Sequence, residues 1–185
     1  MVYLHDPDDH ADQALREAYP VLHELRSQGV VGAVGVGMNQ TAVPARFGRE
    51  TDLDVVLLAG RYTLLDRSGE DELLPLCLDR GVAVVVGGVY NSGVLADPVP
   101  GAHFDYEPAP PGVLVTAQRL RDVAAAHGVP LKAAALQFPF RHPAVSCVLT
   151  GARSVTEVDE NVALAGHPIP ERAWADLDAV LAGAR

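Results

Sequence analysis

The chain has 185 residues, 49% hydrophobic but only 5% aromatic, with a net charge of −10 at neutral pH. That is enough for one domain with a real core, and the acidic balance argues against nucleic acid or an anionic membrane as main partner, since both need a basic surface. Two cysteines, Cys77 and Cys147, are too few for a disulfide framework or a thiolate metal site and read as buried thiols in a reducing compartment.

Strand and helix alternate along the chain. Residues 2–5 predict a short strand running into the turn His5-Asp6-Pro7-Asp8-Asp9. This acidic opening is unlike a signal peptide. Residues 12–28 predict helix, with Pro20 opening a second helical piece, because proline suits a first turn and not an interior. Gly29 ends it. Strands are expected at residues 33–36, 54–58 and 83–86, and helices at 42–50 and 70–80, the latter capped by Gly81. The run 82–89 is too short to span a bilayer, so no membrane partner and a cytoplasmic location are expected. Residues 97–112, rich in proline and glycine, predict a long loop that serves as a lid or as a plain connection. Helices follow at 113–127 and 131–141, with Pro139 distorting the last turn. A strand at 147–150 and helices from Ser154 and over 170–182 close the chain.

The stretch 145–164 carries the clearest local chemistry. Ser154 and Glu157 have capping-box spacing, each side chain serving the other's backbone N–H. Val155, Val158 and Val162 recur at helical spacing and predict a face packed inward. Glu157, Glu160 and Asn161 fall on the other face, toward solvent or a ligand. Arg153 just ahead of a helix N-terminus makes an anion site suited to phosphate. An ordinary turn with a good cap accounts for the same residues equally well.

Apolar strands alternating with helices imply an α/β fold with a parallel sheet buried on both faces. The ends of its five strands carry His5, Asn39, Arg61, Asn91 and Arg153. The six histidines beyond His5 show no metal-ligand spacing.

Gly151-Ala152-Arg153-Ser154 followed by Glu160-Asn161 resembles the cofactor-phosphate and adenosine site of the aldo/keto reductase superfamily. Tyr3-Leu4-His5-Asp6 resembles the strand bearing that family's catalytic histidine, and Gly35-Val36-Gly37-Met38-Asn39 the strand end whose asparagine holds the nicotinamide carboxamide. Arg61-Tyr62-Thr63-Leu64-Leu65 and Gly87-Gly88-Val89-Tyr90-Asn91-Ser92-Gly93 are similar to the branch containing aldose and pyridoxal dehydrogenases. The resemblance implies a parallel (β/α) barrel of TIM type, here a partial barrel corresponding to strands four to eight. It implies an NADP or NAD cofactor held by Asn39, Gly88, Asn91, Ser92, Gly93, Gly151, Arg153, Ser154, Glu157 and Asn161. It implies a catalytic role for His5 and a small carbonyl or sugar substrate, such as an aldose.

The departures from that family also carry meaning. Its Tyr, Asp and Lys lie on earlier strands, and here Met1 directly precedes the strand of His5. The only lysine, Lys132, lies on a late helix. Ala59 stands where many members have glutamine, and Gly87 where many have an aromatic. The chain is therefore expected to be catalytically incomplete on its own, or else a non-catalytic nucleotide-binding or assembly half-barrel. A partial sheet would expose edges at residues 2–4 and 147–149, so a homo-oligomer that covers them is expected.

Overall fold

In the computed structural model, which describes residues 1–183, the chain falls into two compact units. The last two residues of the domain expected over 1–185 lie outside the described residues. One unit takes in Met1–Tyr62, Asp66–Gly87 and His142–Val148; the other takes in Thr63–Leu65, Gly88–Arg141 and the chain from Leu149 onward.

The first unit carries a five-stranded sheet. Its strands are β1 (Val2–His5), β2 (Val34–Met38), β3 (Val55–Ala59), β4 (Ala83–Gly87) and, after the short β5 (His103–Phe104) and β6 (Glu107–Pro108) of the second unit, β7 (Val145–Leu149). The order is β1-β2-β3-β4-β7, with β1 to β4 pairing in parallel. Leu4, Val36, Val56 and Val84 lie side by side across four strands, and the three valines are fully buried. Each such side chain contributes about 1.5–3 kcal/mol by leaving water. β2 is buried along its whole length and extends past residues 33–36, because Gly37 and Met38 pair with Leu57 and Leu58. Gly35 is needed for a close approach, since a Cβ there would lie 2.5 Å from the Val55 carbonyl oxygen and 2.8 Å from the Tyr3 ring.

One arginine fixes the N-terminal ends of β2 and β3. Arg26 donates to Asp54 at 2.6 Å and Asp52 at 2.7 Å, while Asp54 also accepts the Val34 N–H at 2.7 Å. Burial alone would raise the Asp54 carboxyl, but the Val34 N–H and the guanidinium outweigh it and hold the pKa below the ordinary range.

Helices α1 (Ala11–Gln13) and α2 (Tyr19–Ser27) are joined by a π-turn over Ala14–Ala18. Pro20 opens α2 as its sequence position predicts. It has no N–H to offer the preceding turn, and the Tyr19 N–H instead reaches back to the Ala14 carbonyl, widening the helix. α3 (Ala42–Glu50) matches its predicted bounds, and α4 (Leu73–Arg80) ends at Gly81 with φ +68°. α4 starts later than residue 70 because Asp66 accepts both the Ser68 N–H at 2.9 Å and its hydroxyl at 2.6 Å, so a local turn displaces the first helical turn.

The second unit is mainly helical: α5 (Pro111–Ala126), α6 (Leu131–Gln137), α7 (Val155–Ala165) and α8 (Glu171–Ala182). α5 packs on α8 and α6 on α7. α6 passes into a 3-10 turn, Phe138–Arg141, as Pro139 predicts. α8 buries Ala173, Trp174 and Leu177, and Arg141 lies 5.1 Å over the Trp174 ring while pairing with Asp178. The expected loop 97–112 is corrected in part, for β5 and β6 form an antiparallel hairpin inside it. Asp105 and Tyr106 make its turn at φ +50° and +68°, a left-handed turn without the Asn-Gly signature that would mark it in a sequence.

Candidate functional site

In the first unit, the candidate residues sit where strands end. His5 closes β1 and is exposed; its Nδ1 lies 3.3 Å from the Asp6 carboxylate. Asp6 adopts φ +44°, and its N–H donates to the Gly37 carbonyl at 2.9 Å, so the turn after His5 is tied to β2. Asn39 follows β2 and is exposed, its backbone carbonyl accepting from Arg61 Nε at 2.8 Å. Arg61 also pairs with Asp66 at 3.0 Å. Gln40 donates to Asp8 at 3.0 Å, joining the turns after β1 and β2. Gly87 lies opposite Ala59, and a Cβ on it would meet only the Ala59 methyl, at an ordinary 3.9 Å.

In the second unit, the glycine-rich segment folds into a tight turn. Gly88, Asn91, Ser92 and Gly93 have φ of +64°, +44°, +58° and +113°. The Asn91 and Gly93 N–H groups donate back to the carbonyls of Gly88 and Tyr90 at 2.9 and 3.0 Å. Asn91 is buried and accepts the Thr63 hydroxyl at 2.6 Å. Ser92 Oγ accepts the Tyr106 N–H of the hairpin at 3.0 Å. The side chains of Asn91 and Ser92 thus bond to the protein itself, and their candidacy rests on the backbone shape they support.

The N-terminus of α7 carries the other candidates. Ser154 caps it, accepting the Glu157 N–H at 3.2 Å. The return bond of the expected capping box is shifted by one residue: Glu157 accepts the Arg153 N–H, at 2.7 Å, and not that of Ser154. Gly151, Arg153 and Ser154 are exposed, and the Arg153 side chain is 93% exposed, 3.6 Å from Glu157.

Two sequence expectations are corrected here. Val155, Val158 and Val162 do not face inward; they are 77%, 49% and 71% exposed. The half-buried residues of α7 are Glu157, Asn161 and Leu164. The sequence supplies an apolar stripe but not the direction it looks, and here the polar side is turned in because its groups find partners. Cys147, expected to be buried, is exposed on the edge strand β7, whereas Cys77 is buried and its thiol is pushed up to about 11 by burial.

The glycine-rich turn and α7 meet through Tyr90. Tyr90 donates to Asn161 Oδ1 at 2.8 Å. Burial, then the nearby Glu160 carboxylate, push the Tyr90 phenol up to about 12. Lys132 pairs with Glu160 at 2.6 Å and lies 6.0 Å from the Tyr90 ring centroid. The bond joins residues far apart in the chain, and no local pattern announces it.

A parallel βα sheet with polar residues at its strand ends is the frame on which many α/β enzymes are built, and it defines a class rather than one enzyme. The aldo/keto reductase family model matches residues 1–182, and the chain belongs to that family of oxidoreductases. Pyridoxal 4-dehydrogenase from Microbacterium luteolum is 42% identical over 188 residues, spanning 96% of this chain and 55% of that protein. D-threo-aldose 1-dehydrogenase from a Pseudomonas species is 37% identical, with 96% and 55% covered. A solved aldo-keto reductase from Bacillus halodurans, in its holo form, superposes with a TM-score of 0.74 at 25% identity, covering 96% of this chain and 59% of that one. The chain therefore spans about half the length of the relatives it matches. Among the described residues no helix is long and apolar enough to cross a membrane.

Proposed function

We propose that this chain is the cofactor-binding part of an NAD(P)-dependent aldo/keto reductase acting on an aldose or a small aldehyde or ketone. In this reading it is one domain, whose five strands correspond to strands four to eight of a TIM-type barrel. The observation that carries the proposal is the second unit's arrangement: a left-handed glycine-rich turn bonded by Tyr90 to a capped helix whose N-terminal arginine is 93% exposed, with only Glu157 of its own helix nearby. That geometry fits a nucleotide. Helix N-termini and an adjacent guanidinium favour phosphate, and the turn at Gly88 and Gly93 needs residues that tolerate positive φ. Arg153, Gly151 and Ser154 would hold the adenosine phosphate, Glu157 and Asn161 would face the adenosine, and Gly88, Asn91, Ser92 and Gly93 would shape the loop over the pyrophosphate. Asn39 would meet the carboxamide. Arg153 favours NADP.

When bound, the nicotinamide supplies or accepts hydride. The chain's own contribution to the chemistry is His5. With Asp6 beside Nδ1, Nε2 is the atom left to hydrogen-bond a reacting oxygen, an oxyanion-type role. The family's Tyr, Asp and Lys have no counterpart in residues 1–185: Lys132 is held by Glu160, and the Tyr90 phenol is about 12. Turnover is then expected to need those three groups from outside these residues. The same two observations favour a second reading, a nucleotide-binding half-barrel without catalysis. Because β1 and β7 are the sheet's edges and α7 exposes three valines, we expect either form to associate as a homo-oligomer that covers them.

Titration calorimetry with NADPH tests the proposal. Binding that weakens about tenfold in Arg153→Ala supports it; no binding to the unaltered chain, or binding indifferent to Arg153, overturns it. Restoring the Tyr, Asp and Lys strands and assaying aldoses separates the two readings, since only the enzyme gains turnover that depends on His5.

A further inference from the structure

We propose that Thr63 is a positioning residue for the nucleotide: it holds the glycine-rich turn in its left-handed form before a ligand arrives, so that the pyrophosphate meets a turn already made. This rests on the reading of that turn as the pyrophosphate loop. Thr63 follows β3 closely in sequence, yet Thr63–Leu65 belongs to the second unit, together with the turn. Thr63 and Asn91 are 0% and 3% exposed, and Leu64 between Thr63 and Leu65 is fully buried as well. A buried polar pair of this kind has to bond within the protein.

The turn needs holding. Asn91 and Ser92 are consecutive residues with φ of +44° and +58° and neither is glycine. Side chains crowd the backbone in that region, and asparagine only tolerates it better than most. Such a conformation persists where the surroundings over-determine it. Thr63 Oγ1 lies 2.6 Å from Asn91 Oδ1 and also accepts the Leu65 N–H at 3.1 Å, so the anchor is itself fixed. The bond does not depend on which end of the amide faces Thr63, since a hydroxyl donates to the oxygen or accepts from the NH2 group. One residue on, Ser92 Oγ accepts the Tyr106 N–H at 3.0 Å, which ties the turn to the hairpin.

The backbone between these two ties is the part that meets a ligand. Ser92 is exposed, and its N–H has no acceptor among the described residues. It is the donor left over for a phosphate oxygen, and turn amides of this kind suit anions. A turn that is already formed binds without first having to be ordered. Removing the hydroxyl shifts that ordering onto the ligand. The loss then falls on ligands that reach the turn and spares those that meet only α7.

The test compares NADPH with adenosine 2′-phosphate, which lacks the pyrophosphate, by calorimetry on the full chain. Thr63→Val should weaken NADPH about tenfold and leave adenosine 2′-phosphate within about twofold. Thr63→Ser, which keeps the hydroxyl, should bind both as the unaltered chain does. A merely structural role would weaken both ligands alike and would not be sensitive to the pyrophosphate. Hydrogen exchange on the unaltered chain serves even where Thr63→Val fails to fold. The Asn91 and Gly93 amides, which donate to Gly88 and Tyr90, should be protected before NADPH is added. Protection that arises only with NADPH, an NADPH affinity indifferent to Thr63→Val, or a parallel loss of both ligands overturns the inference and leaves nucleotide binding intact. Binding of neither ligand to the unaltered chain overturns the nucleotide reading, and this inference with it.

Discussion

Helices α7 and α8 carry similar amphipathic patterns and place them in opposite senses. α8 turns Ala173, Trp174 and Leu177 inward. α7 turns Val155, Val158 and Val162 outward and draws Glu157 and Asn161 toward the protein. The difference lies in what each polar residue can reach. Glu157 accepts the Arg153 N–H and Asn161 accepts the Tyr90 hydroxyl, so neither is left unsatisfied when half-buried. A periodic stripe shows that a helix has two faces, and which one is buried depends on partners elsewhere in the chain.

The sharpest way to break this comparison is to truncate both apolar faces. Trp174→Ala should destabilise the chain by about 3–5 kcal/mol and Leu177→Ala by about 2–5, read from urea unfolding midpoints. The next effect concerns Tyr90. Its phenol is raised in the folded state relative to an unfolded value near 10, so its contribution is complete below pH 10 and is lost as pH climbs toward about 12. Unfolding curves for the unaltered chain should converge on those of Tyr90→Phe over that window, and a constant gap would contradict the assignment. Ser154→Ala removes the one side-chain cap of α7 and should cost about 1 kcal/mol. The smallest effect is expected at Val162→Ser, within about 0.5 kcal/mol at protein concentrations too dilute for association. A loss comparable to Leu177→Ala under those conditions would mean that the stripe is covered within a single chain. At higher concentration the same change should weaken self-association in sedimentation.

Much of the scaffold was legible because it is written locally. Strand runs such as Val55–Ala59, the stop glycines Gly29 and Gly81, and Pro20 at a helix start each act over a few residues. The cap at Ser154 was legible for the same reason. The hairpin around Asp105 was not, because neither turn residue is glycine and the left-handed backbone leaves no compositional mark. Within the candidate site, the sequence points to Arg153, Ser154 and the glycine-rich turn. It does not show that Asn91 is held by Thr63 or Asn161 by Tyr90. Those pairings cross long stretches of chain, where spacing carries no information.

The strand order has a kinetic consequence. β1 to β4 are neighbours both in the sheet and along the chain, so each can add to the last as it emerges and close only a modest loop. β7 is different: it joins β4, which ends at Gly87, only after the chain has travelled to Val145. Long-range strand pairing of this kind is intrinsically slow. In pulse-labelled hydrogen exchange the amides of Val36, Val56 and Val84 should therefore gain protection early. Those of β7 should follow last, leaving the outer side of β4 bare for that interval.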